Sequence, residues 1–146
     1  VYNHAYAFIL YTGLRRSELA SLTVDEQWFS VITAKQRKGM KEKTRSIPIS
    51  PMLKQVLPFI DIEAIKAVSL GPLTNHFKEI FANHHLHDLR HTFITRAQEC
   101  GIRREIVSLW AGHRADSSIT TTVYTHFQER SELQIQEMEK YNYEYK

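Results

Sequence analysis

Cysteine is almost absent. Cys100 stands alone, so the chain can close no internal disulfide and offers no thiolate pair for a structural zinc. A thiol-poor chain without a covalent staple is expected in a reducing, cytoplasmic setting. Glycine and proline are scarce, at five and four of 146 residues, and they build no flexible linker. Long apolar runs are missing as well. The longest candidate, residues 5–10, falls far short of the roughly 18–20 residues that a membrane span requires. No internal repeat or low-complexity tract is present. What remains is 42% hydrophobic and 24% charged, an ordinary globular composition that excludes disorder, collagen and a disulfide scaffold. We expect one domain over residues 1–146. Because the sequence opens on Val1 inside a helical pattern, we also expect a fragment of a longer protein.

Nineteen Lys and Arg against 16 Asp and Glu leave a net charge of +3. This permits nucleic-acid binding without demanding it. The distribution says more. Lys35, Arg37, Lys38, Lys41, Lys43 and Arg45 crowd one stretch with Glu42 as its one acid, whereas Glu129, Glu132, Glu137 and Glu139 gather near the C-terminus. A polyanion would be gripped at the first.

Residues 4–11 have helical composition, and Thr12-Gly13 ends that segment. Residues 16–24 place Leu19, Leu22 and Val24 opposite a charged face and predict a second helix. Residues 28–33 and 45–50 are β-branched or aromatic and predict two strands, joined by the basic Gly39-containing connection as a hairpin. Pro48 marks the second as an edge or a strand end. From Pro51 onward the pattern is helical: residues 73–83, 88–100 closed by Gly101, 104–111 closed by Gly112, 120–126 and 129–141. The expected fold is mainly α with a small antiparallel β-sheet.

Four segments carry chemistry. In Thr12-Gly13-Leu14-Arg15-Arg16-Ser17-Glu18-Leu19, Arg15 and Glu18 share a helix face, so the acid can orient the guanidinium; equally, they can be a solvated pair of little energetic weight. In His87-Asp88-Leu89-Arg90-His91-Thr92-Phe93, His87 and Arg90 lie one turn apart, a good arrangement for holding a phosphate while moving its protons. His87 and His91 also have a zinc spacing, but no third ligand is evident, and Asp88 suits a helix N-terminus. Gly112-His113 follows an apolar helix, where a histidine commonly serves as a cap. Tyr124-Thr125-His126 comes eleven residues later. The basic hairpin, with Lys38 at its tip, is the fourth. Arginines, lysine, histidines and a tyrosine form a complementary set for a phosphodiester, with no carboxylate cluster to hold Mg²⁺. We therefore expect neither a metal nor another cofactor.

In this order, residues 12–19, Arg-Lys-Gly-Met-Lys-Glu-Lys-Thr-Arg-Ser-Ile-Pro-Ile (37–49), residues 87–93, Ala-Gly-His (111–113) and Val-Tyr-Thr-His-Phe (123–127) resemble the catalytic domain of the tyrosine recombinases. That phage-integrase family shares its DNA breaking-rejoining fold with type IB topoisomerases. The resemblance implies an enzyme whose Tyr124 is the nucleophile, forming a 3′-phosphotyrosyl link. Arg15 and Arg90 would clamp the phosphate, with Glu18 supporting Arg15. Lys38 would be the general acid, His87 would assist proton transfer, and His113 would hydrogen-bond the phosphate. Arg16, Lys35, Arg37, Lys41, Lys43 and Arg45 would contact double-stranded DNA. The function implied is site-specific recombination by the integrase of a phage or other mobile element, in a bacterial or phage-infected cell. DNA relaxation of the type IB topoisomerase kind, or a non-catalytic DNA-binding module, are the alternatives. The amino-terminal DNA-clamping domain of the family is expected to be missing. The helix after Tyr124 would dock either on another recombinase protomer or on its own core.

Overall fold

The computed structural model describes residues 1–34, 42–113 and 130–143. Helix α1, Tyr2–Thr12, ends at Gly13, whose φ of 72° and ψ of 14° place it in the left-handed region while its N–H closes on the Ile9 carbonyl. A 3-10 helix, Arg16–Ser21, leads into strand β1, Thr23–Val24. The predicted helix over residues 16–24 thus stops early. Leu22 is already extended, with ψ of 132°, and the β-branched Thr23-Val24 pair joins the sheet instead, since such residues favour pleated backbone.

Strand β2, Trp28–Ile32, lies between β1 and β3, Thr44–Pro48, in an antiparallel sheet of order β1-β2-β3. Thr23 pairs with Ser30, and Trp28, Val31 and Ile32 pair with Pro48, Arg45 and Thr44. Pro48 closes an edge strand, where its missing N–H leaves no ladder bond unmade. The strand predicted over residues 45–50 is therefore present, shifted toward the hairpin.

After the sheet the described chain is helical: α2, Pro51–Val56; α3, Ile62–Lys66; α4, Leu70–Ile80; α5, His87–Glu99; α6, Arg104–Ala111; and α7, Glu132–Met138. Ser50 and Asp61 cap α2 and α3 by accepting from the N–H groups of Leu53 and Ala64, satisfying donors that a helix start leaves free. The mainly α architecture with one small antiparallel sheet is as expected. The helix expected over residues 120–126 lies outside the described residues.

Phe8, Leu14, Leu22, Phe29, Phe93 and Trp110 form the centre of one core shared by α1, the sheet, α5 and α6. The C-terminal segment docks on that core within its own chain. Tyr141 is fully buried with its ring 4.9 Å from Phe93, and the Trp110 indole N–H donates to Gln134 on α7 at 2.8 Å. Among the described residues no helix is long and apolar enough to cross a membrane.

Candidate active site

The left-handed turn at Gly13 does two things. A Cβ at this position would run into the Phe93 ring, so glycine is what lets the end of α1 press against α5. That closeness brings the Gly13 carbonyl to Arg90, which donates to it through Nη1 at 2.7 Å. Arg90 is 3% exposed. Burial first, then repulsion from Arg15 and Arg45, bring its pKa down to about 10 against a partial offset from Glu18. The guanidinium still carries its full charge at neutral pH.

Glu18 is the anionic hub. Its carboxylate has no exposed surface and accepts from both terminal nitrogens of Arg45, at 2.6 and 2.8 Å. The Ala34 N–H donates to it at 2.8 Å and the Arg15 N–H at 2.9 Å. The Arg15 side chain reaches it only through Nη1 at 3.4 Å. Burial alone would raise the Glu18 pKa, but the Arg45 hydrogen bonds and charge, with the two backbone donors, take it down to about 2. Glu18 thus contacts Arg15, but its main partner is Arg45.

Arg45 departs from the sequence reading, which put it among the DNA-contacting cations. Val31, its cross-strand partner, is buried, and directly opposed residues share a face of the sheet. The Arg45 side chain therefore turns inward, with 10% of its surface exposed. Besides Glu18, it donates to Thr33 Oγ1 at 2.9 Å and, through Nε, to the Trp110 carbonyl at 2.9 Å. A Cβ on Gly112 would come within 2.8 Å of the guanidinium carbon. One side chain therefore joins the Arg15 turn, the root of the basic hairpin and the end of α6, where His113 begins. Sequence reasoning missed this role; the signal lay in the register, not in the motif.

His87 opens α5 and His113 follows the left-handed Gly112 cap of α6. His87 is held below the usual histidine range by desolvation, then by His91, Arg90 and Arg15. His113 is lowered by desolvation, then by Arg90, Arg15 and Arg45. Both shifts favour the neutral imidazole. Asp88, by contrast, accepts from the His85 N–H at 2.9 Å and faces His84 at 3.5 Å, the structural use expected of an acid at a helix start.

The fold thus gathers Arg15, Arg90, His87 and His113 from three distant segments, with Glu18 and Arg45 behind them. Lys43 is exposed at the hairpin root, where its carbonyl accepts from Thr33 at 2.7 Å. Arg16 is exposed on the other side, donating to Thr74 on α4. Lys35, Arg37, Lys38, Lys41 and Tyr124 lie outside the described residues. Among the described residues no three His, Cys, Asp or Glu side chains converge to hold a metal ion; the His87 and His91 rings meet edge to face at 4.6 Å.

Three guanidinium groups around one carboxylate leave a surplus of positive charge beside two neutral imidazoles. Such a site favours an anion with several oxygens, whose charge opposes the arginine contribution to the lowered pKa values of His87 and His113, though not the larger contribution of desolvation. Binding of a phosphodiester should therefore take up protons at pH values near the ordinary histidine value of about 6.5 and none near pH 8. Calorimetry of duplex binding in two buffers of different ionisation enthalpy reads this uptake directly.

No protein-family model and no curated protein matches the chain. Among solved structures, the XerH site-specific recombinase bound to palindromic difH substrate, a post-cleavage complex, is similar at 19% identity with a TM-score of 0.42. The likeness covers 88% of this chain but 42% of that one.

Proposed function

We propose that the chain breaks and rejoins DNA through Tyr124, as the catalytic domain of a tyrosine-type site-specific recombinase, the integrase of a phage or other mobile element. The observation that carries the proposal is the convergence of Arg15, Arg90, His87 and His113, each from a motif of that family. In this reading Arg15 and Arg90 neutralise the two non-bridging oxygens of a backbone phosphate. The Tyr124 hydroxyl attacks phosphorus and gives its proton to His87, whose neutral imidazole can accept it. The bond from phosphorus to the 5′-oxygen breaks, and Lys38 protonates that oxygen as it leaves. His113 donates a hydrogen bond to the phosphate. The product is a 3′-phosphotyrosyl ester and a free 5′-hydroxyl. Attack by a 5′-hydroxyl reverses the step with the diester energy conserved, so rejoining needs no nucleotide cofactor.

Covalent trapping tests this. Duplexes carrying a 5′-bridging phosphorothiolate release a thiolate, which rejoins poorly and leaves without an acid. An adduct that survives SDS and maps to Tyr124 is expected. It should be absent in Tyr124→Phe and retained on these duplexes by Lys38→Ala. Strand exchange between two sites separates recombination from simple relaxation of supercoiled DNA. Duplex binding with no adduct on any phosphorothiolate substrate would leave only the binding-module reading.

A further inference from the structure

Arg130 carries its guanidinium to the face of the sheet that Arg45 does not use. Ser30 and Ser46 stand directly opposite each other on β2 and β3 and so share a face, while their neighbours Val31 and Arg45 point to the other. All three nitrogens of the Arg130 guanidinium are engaged there. Nη1 donates to Asp25 Oδ2 at 2.7 Å, Nη2 to Ser30 Oγ at 3.3 Å and Nε to Ser46 Oγ at 3.4 Å. Trp28, two residues from Ser30, lies on the same face. Its ring is 5.5 Å from the guanidinium carbon, within the range of a cation–π contact.

The sheet's own bonds hold this guanidinium receptor in shape. Asp25 Oδ1 accepts from the N–H groups of Gln27 and Trp28 at 3.1 and 2.9 Å, which fixes the turn between β1 and β2 and leaves Oδ2 to Arg130. The two serine hydroxyls bond each other at 2.7 Å. Arg130 first, then the Trp28 N–H, holds the Asp25 carboxyl below the usual carboxylate range. Both members of the ion pair are about half-exposed, so the pair adds little stability. Its consequence lies in which part of the chain it fixes.

Tyr124 precedes Arg130 by six residues, so the chain between them reaches at most about 20 Å. Beyond Arg130, the next side chain that the fold buries is Gln134, held by Trp110 at 2.8 Å. With that anchor alone the limit becomes about 34 Å, and the volume within reach of Tyr124 grows about fivefold. We infer that Arg130 is a positioning residue for Tyr124: by tying the chain to the sheet face opposite Arg45, it confines the nucleophile and raises its effective concentration at the phosphate. The inference rests on the DNA-cleaving reading for the reaction, though not for the receptor. The sheet is then the common frame, joined to the arginine cluster through Arg45 and to the nucleophile's arm through Arg130.

Single-turnover adduct formation on the phosphorothiolate duplexes tests this in the whole chain. Arg130→Ala should lower the rate at saturating duplex by about fivefold or more, with half-saturation and melting temperature unchanged. Asp25→Asn keeps an acceptor for the turn but removes the charge that Arg130 meets, so it should slow the reaction in the same direction. The double variant should be no slower than Arg130→Ala, because both changes break one contact. Free guanidinium added to Arg130→Ala can fill the receptor but cannot tie the chain, so the rate should stay low. A wild-type rate in Arg130→Ala would overturn the inference and leave the DNA-cleaving reading standing. So would rescue by free guanidinium, which would make Arg130 a filler of the sheet face. A rise in half-saturation that accounts for the loss would also overturn it, making Arg130 a DNA contact. No adduct from the wild type on any duplex would remove the DNA-cleaving reading and this inference together.

Discussion

Arg45→Met is expected to destabilise the fold by about 3–5 kcal/mol, because it leaves a buried carboxylate without its main partner. The Glu18 side chain has no exposed surface, and after the change it retains two backbone donors and one long contact to Arg15 at 3.4 Å. Thr33 and the Trp110 carbonyl lose their guanidinium donor as well. The pH dependence follows from the same geometry. The folded-state pKa of Glu18, about 2, lies below the value of about 4.3 for an unfolded glutamate. The stabilisation is thus fully present above the unfolded value and is lost as pH falls toward the folded one. With Arg45 gone, burial dominates and the sign turns, so the variant should gain relative stability on mild acidification.

Under the proposed function, a catalytic readout separates positioning from stability. Adding Glu18→Leu to Arg45→Met removes the stranded charge, and urea melts should recover part of the loss. The link between the Arg15 turn, the hairpin root and α6 stays broken, however, so the cleavage rate should remain depressed at saturating DNA. Gly112→Ala approaches the same point from the other side. Its Cβ would press on the guanidinium from 2.8 Å, on a backbone whose φ of +72° already disfavours a side chain. It should reproduce the rate defect with a smaller stability cost. Arg45→Met within 1 kcal/mol of wild type would remove Arg45 from this role.

What was legible in the sequence divides along physical lines. Helices α1, α5 and α6 were readable because apolar spacing and a following glycine or cap state both length and stop. The sheet was readable from its β-branched strands and Pro48. Residues 16–24 misled because Leu19, Leu22 and Val24 fit a helical period. Yet the buried Glu18 draws the turn inward, and Thr23-Val24 gain more as an edge strand than as a last helical turn. The gathering of Arg15, Arg90, His87 and His113 follows from motifs read in order. The inward turn of Arg45 does not. In a stretch of six basic residues its charge looks like its neighbours', and only pairing opposite Val31 decides which face it takes. The docking of α7 was equally open from sequence. An amphipathic stripe states that something is covered, not by what; in the single chain the Trp110–Gln134 hydrogen bond joins α6 and α7.

Arg90→Lys should lower the cleavage rate about 10²–10³-fold, the effect of removing one preorganised donor from a developing anionic charge, while duplex affinity changes far less. The variant keeps a cationic side chain, which the same burial and repulsion also push toward neutrality, but it does not keep the geometry. Arg90 spends Nη1 on the Gly13 carbonyl at 2.7 Å, so α1 itself sets the plane of the guanidinium, and its remaining donors are aimed by that bond. An ammonium is a point charge on a flexible stem and cannot keep both contacts in a fixed plane. Gly13→Ala tests the same constraint from the backbone, since its Cβ collides with Phe93 and must displace the carbonyl that holds Arg90. Single-turnover rates against DNA concentration separate the two quantities: a rate loss at saturation with little change in half-saturation is the expected pattern. Because the Arg90 pKa is about 10, the wild-type rate should carry no decline from this group between pH 7 and about 9, so a loss in Arg90→Lys that is constant across that range marks geometry and not titration. Equal losses in rate and affinity would instead make Arg90 an ordinary phosphate-binding cation.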